Sequence, residues 1–164
     1  MTQHEPEKEL DSIENKASFP ASGRLVSLDL GTKKIGIAIS DETQSVTRGL
    51  RTITRKSWKS LLDEVSSILR EFDAVGLVIG LPLETDGTES PMSEEARRIA
   101  RNFSLSLDIP VALHDERVSS YAARGAMWEM GRDNDAVRAN VDSEAAAIIL
   151  DDFISFRNQI LKNG

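Results

Sequence analysis

Asp29 lies among leucines near the end of the first apolar run in "LVSLDLGTKKIGIAIS" (25–40). Asp115-Glu116 closes "VALHDE" (111–116), and Asp142 stands in "NVDSEAAAIIL" (140–150). A carboxylate in an apolar segment is costly to desolvate unless something positive meets it. Each acid has an ordinary role open to it. Asp29 can initiate a hairpin turn, Glu116 can pair with Arg117 or another base, and Asp142 can cap a helix. Taken together, they point to chemistry. Strand ends and helix starts are where an α/β fold gathers it, and three carboxylates at one sheet edge repel one another unless a cation sits among them. The chain has no cysteine and only His4 and His114, so an oxygen-only ligand set suited to Mg²⁺ or Mn²⁺ is expected rather than a zinc site. Phosphoryl transfer follows from such a set: one ion activates water and a second, about 3.5–4 Å away, steadies the leaving oxygen. Beside Asp29, Gly31-Thr32 and Lys33-Lys34 either offer donors to a phosphate or form a plain exposed turn. His114 has no serine implied as a partner and is read as a surface or supporting residue rather than a catalytic base.

These residues need elements to hold them. Apolar runs over 24–30 and 34–41 flank a short turn, the pattern of a β-hairpin, and "VTRGLRTIT" (46–54) predicts a third strand. From Ser57, the positions Trp58, Leu61, Leu62, Val65, Ile68, Leu69 and Phe72 follow helical spacing. "VGLVIG" (75–80) reads as a strand buried on both faces, and "LPLETDGTESP" (81–91) as a loop. Ser90-Pro91 followed by Glu94 and Glu95 predicts a capped helix start. A strand over 111–116, a helix from about Ser119 to Met130, a polar loop over 131–140 and a last helix from near Asp142 to about Gln159 complete the order. Three strands in a meander, then βαβ units, predict an α/β fold with a mixed sheet flanked by helices. Residues 1–22 are expected to form a mobile acidic tail, and residues 23–160 a single domain.

Composition narrows the function classes. The 164 residues suit one domain, and the net charge of −7 argues against a protein that coats nucleic acid indiscriminately. Nothing in the chain reads as a membrane span or a secretory signal, and the expected location is cytoplasmic. The charge is uneven. Arg48, Arg51, Arg55, Lys56 and Lys59 fall between Val46 and Leu62 with no acid among them, which is either a solvated face or a phosphate-contacting strip.

Four segments, "LDLGTKKIGIAISD" (28–41), "VIGLPLETDGTESP" (78–91), "LHDERVSSYAAR" (113–124) and "VDSEAAAIIL" (141–150), resemble in order and spacing the YqgF/RuvX family of Holliday junction resolvases and pre-16S rRNA nucleases. The resemblance covers about residues 24–156. It implies a ribonuclease-H-like fold and a nuclease dependent on Mg²⁺ or Mn²⁺, with Asp29, Glu116 and Asp142 as catalytic and metal-holding acids. Thr32, Asp86, Gly87 and Arg117 are its supporting residues, and Thr32, Lys33, Arg48, Arg51 and Arg117 are expected on the substrate. The implied partner is RNA, the 5′ end of precursor 16S rRNA, with branched DNA as the alternative, and the implied state is monomer or homodimer. Family members often carry a basic stretch before the last aspartate; here it is "VRANVDS", with Arg138 alone. Two other readings stay open: a phosphate loop of the actin-like and sugar-kinase ATPases, which "LDLGTKKIGIAIS" also resembles, and a non-catalytic module that binds nucleic acid or protein.

Overall fold

The computed structural model describes residues 19–116 and 135–163. Five strands form one mixed sheet: β1 (Leu25–Leu30), β2 (Lys34–Ser40), β3 (Thr47–Thr54), β4 (Gly76–Leu81) and β5 (Val111–Asp115). The spatial order is β3-β2-β1-β4-β5. β1, β2 and β3 pair antiparallel, while β4 runs parallel to β1 and β5 parallel to β4. The carboxyl ends of β1, β4 and β5 therefore share one edge of the sheet.

Alternation along β1 divides the core. Val26, Leu28 and Leu30 join Ile35, Ile37, Ile39, Leu77 and Ile79 under two helices, α1 (Trp58–Glu71) and α2 (Pro91–Ser106). Ser57 caps α1 through the Ser60 amide, and Ser90 with Ser93 forms a reciprocal capping box ahead of Pro91 in α2. Both caps satisfy amides that a helix start leaves without partners. The other face of the sheet carries Leu25, Val78 and Ala112 against Ile149, Leu150 and Phe153 of the last helix, α3 (Asp135–Asn163). With helices on both faces, β4 is buried at every residue, as a strand of a doubly covered sheet must be.

Two boundaries differ from expectation. α3 begins at Asp135, inside the stretch expected as a polar loop, so Asp142 lies two turns into the helix and is not its N-cap. The polar "GRDND" run masked the start, but Ala136, Arg138 and Ala139 are good helix formers and Asp135 suits a helix amino end. At the other terminus, Phe19 is buried against Phe153, and the Pro20 carbonyl accepts from the buried Arg157 at 2.8 Å. The body thus takes up residues from the end of the expected tail. The helix expected over 119–130, and Arg117, lie outside the described residues.

Candidate active site

Asp29 is paired with Gly36 across β1 and β2. On its other side, the parallel register sets Leu28 beside Ile79, so the next residue of β4, Gly80, is level with Asp29, and Gly80 in turn pairs with His114. Gly36 pairs outward with Thr52. One row thus crosses all five strands, Thr52–Gly36–Asp29–Gly80–His114, on the face that α3 covers. The two glycines flanking the acid make the site. A side chain at Gly36 would place its Cβ 2.1 Å from the Asp142 carbonyl oxygen, so α3 sits directly on that spot. A Cβ at Gly80 would lie 3.0 Å from the carboxylate carbon of Glu116. Glu116 therefore folds back over the strand next to Asp29, and adjacent strands stand only about 4.8 Å apart. The close seating of α3 is fastened elsewhere by the Ser27 hydroxyl, which donates to the Ala146 carbonyl at 2.7 Å.

The β1–β2 hairpin rises beside the row. The Gly31 amide donates to the Lys34 carbonyl at 2.9 Å, and Thr32, Lys33 and Lys34 are exposed at the tip. Arg55, just past β3, braces it from behind. Its amide donates to the Lys33 carbonyl at 2.8 Å and its guanidinium to the Gly31 carbonyl at 3.2 Å. The same guanidinium is ion-paired with Glu95 of α2, which also accepts from Arg98. The hydrogen bond from Arg98 and the nearby charges of Arg98 and Arg55 hold the Glu95 carboxyl below its usual range. Arg55 was visible in the sequence only as one cation in a run, and its grip on the hairpin is a tertiary fact.

The remaining expected residues divide. In the loop after β4, the Asp86 carboxylate accepts from the Thr88 amide at 3.0 Å and its hydroxyl at 2.7 Å, while Gly87 takes a φ of +91°. That backbone favours glycine. Arg48 and Arg51 stand opposite Ile39 and Ile37, on the α1 side of the sheet, and Arg51 reaches Glu71 at 3.7 Å. The structure does not bring them to the carboxylate row. His114 is buried, not on the surface, and its Nε2 is joined to the Asp152 carboxylate of α3. It sits at the end of the row as a strut between β5 and the helix.

The donor set suits a hard divalent ion: oxygen ligands alone, on a strand end, beside the room that Gly80 leaves. Among the described residues no three acidic or imidazole side chains close around a common point. Asp29 and Glu116 meet beside Gly80 and could hold such an ion, and the Asp142 backbone of the overlying helix stands over Gly36.

Residues 23–155 match the family model described as RuvX, Holliday junction resolvase. A protein of Rhodopseudomonas palustris (strain BisB5) is 39% identical over 145 residues, covering 86% of this chain and 88% of its own. One of Bradyrhizobium sp. (strain BTAi1) is 41% identical over 141 residues, covering 86% and 88%. Both are named "Putative pre-16S rRNA nuclease". In fold, the chain resembles Thermus thermophilus RuvC in complex with a Holliday junction (TM-score 0.55, 14% identity, 83% of this chain and 96% of that one). It also resembles the yeast mitochondrial resolvase Ydc2 (TM-score 0.50, 11% identity, 98% and 89%). The mixed sheet, its strand order and the match over 23–155 make this chain a member of the RuvX family, built on the ribonuclease-H-like fold of the RuvC resolvases.

Proposed function

We propose that this chain is a nuclease that hydrolyses phosphodiester bonds with Mg²⁺ or Mn²⁺ and trims the 5′ end of precursor 16S rRNA. The observation that carries the chemistry is the row across the sheet: Asp29 between two glycines, Glu116 folded over one of them and α3 seated at Asp142 over the other. The ion supplies an activated water and steadies the leaving oxygen. Asp29, Glu116 and Asp142 would hold it, and the exposed Thr32 and Lys33 of the hairpin would meet the substrate phosphate. The rRNA substrate draws support from the names of relatives about 40% identical over most of their length, and a cytoplasmic location goes with that reading. No helix among the described residues is long and apolar enough to cross a membrane.

Branched DNA is the second reading, favoured by the family model's description and the RuvC-like fold. Cutting both strands of a junction needs two sites, which a dimer supplies, whereas trimming one RNA end needs one site and is open to a monomer or a homodimer. The test incubates a labelled precursor 16S 5′ segment and a labelled four-way DNA junction with Mn²⁺, Mg²⁺ or EDTA, using wild type beside Asp29→Asn. Metal-dependent cutting of the RNA, lost in the variant, is expected. Cutting of the junction alone selects the second reading, and binding without cutting of either leaves a non-catalytic module.

A further inference from the structure

Behind the hairpin, on the α1–α2 face, lies a cavity of about 70 Å³ lined by Arg55, Lys56, Ser57 and Arg98 together with the apolar Trp58, Leu61 and Ile99. Its size suits a phosphate group rather than a base. It opens at the same edge of the sheet as the carboxylates, because β3 ends there at Thr54 and α2 starts there. The charge balance is positive in a chain of net charge −7. Two guanidiniums share the single carboxylate of Glu95, which fixes their direction without cancelling them, and Lys56 adds a third cation. The first turn of α1 contributes no acid to oppose it. Of the five cations between Val46 and Leu62, only Arg55 and Lys56 line this cavity, and Arg98 joins them from a different element.

We propose that this cavity is a second phosphate subsite, holding a backbone phosphate of the substrate away from the cleaved bond while the strand passes over the 31–34 hairpin to the carboxylates. The subsite deepens the nuclease reading and rests on it. The ligand chemistry is a phosphodiester, from RNA or from branched DNA, and the backbone alone is recognised. Arg55 links the two places, since the guanidinium that lines the cavity also holds the Gly31 carbonyl, two residues past Asp29.

The experiment measures binding in the Asp29→Asn background, so that cleavage does not intervene, with a labelled precursor 16S 5′ segment and a labelled DNA junction in parallel across a salt series. Lys56→Gln is expected to weaken binding about 3–10-fold and to lower the salt slope by about one. Lys59→Gln, a neighbouring exposed cation outside the cavity, is the control and is expected to weaken binding by much less. In a Trp128→Phe chain, Trp58 is the one remaining indole, and its emission should change on binding and revert in salt. Which nucleic acid shows the Lys56 effect identifies the source of the phosphate. Equal losses at Lys56 and Lys59, no loss at Lys56, or a silent Trp58 overturns the subsite. The two readings fail separately. A chain that binds through Lys56 but never cuts keeps the subsite and loses the nuclease, and a chain that cuts with Lys56→Gln binding as wild type does the reverse.

Discussion

Carboxylates gathered at one sheet edge repel one another unless a cation lies among them. Asp29→Asn should therefore leave the melting temperature in EDTA unchanged or raise it, while cutting cleavage by more than about 1,000-fold. The paired measurement is a melt with and without Mn²⁺. Wild type should gain about 2–3 kcal/mol at an ion concentration a hundredfold above its dissociation constant, and the variant little. An equal gain in both would remove Asp29 from the ion's ligands. Glu95 gives a separate prediction, in pH. Its folded carboxyl titrates below the ordinary value, held first by the Arg98 hydrogen bond. Its stabilisation is therefore complete above the unfolded pKa of about 4.3 and lost as pH falls through the lower folded value. For a partly exposed group, that is of order 1 kcal/mol. The melting gap between wild type and Glu95→Gln should hold steady at neutral pH and close below pH about 4. A gap unchanged down to pH about 3 would mean the ion pairs do not load the fold.

At the scale of elements, the site depends on how closely α3 lies on the sheet. A Cβ at Gly36 collides with helix backbone rather than with the end of a flexible side chain, so nothing can swing aside. Gly36→Ala should cost about 1–3 kcal/mol and shift Asp142 away from Asp29, lowering activity in the fraction that still folds. Normal melting and normal cleavage would show that α3 is not seated there. Much of this level was legible in the sequence: the meander, the helix after Ser57, the capped helix after Ser90 and the order of elements along the chain follow from periodicity and turn residues, and so do the strand-end acids. The glycines were visible as residues, but not as the spaces that admit Glu116 and the helix, because that requires the register. The faces of β3 were not legible at all. Ile37 opposes Arg51 while Ala38 opposes Gly49, so Leu50 is an extra residue in a bulge. Arg48 and Arg51, three apart, therefore share a face that simple alternation would split between the two sides. Asp142 was expected to open the last helix and instead lies two turns inside it, since the start of α3 reads as polar.

Over the whole molecule, the two ends of the described body are held together. The Phe19 ring packs edge-on against Phe153 at 5.1 Å, and Arg157, almost wholly buried, donates to the Pro20 carbonyl. Phe19→Ala should lower stability by about 3–5 kcal/mol, with cleavage per folded molecule unchanged because Phe19 sits at Gly76, at the end of β4 opposite Gly80 and the acids. A melting temperature like wild type would show that the contact is superficial. The same clasp bears on how the chain could be rewired. Where residue 20 touches residue 157, a short linker could join the ends, and new termini could be opened at the exposed Asp108 between α2 and β5, at the end of the sheet opposite the acids. In such a circular permutant the order of β1, β4 and β5 along the chain changes while their neighbours do not. A permutant that folds and cuts would make the connectivity of this sheet an accident of ancestry, and the row across it the part that selection has had to keep.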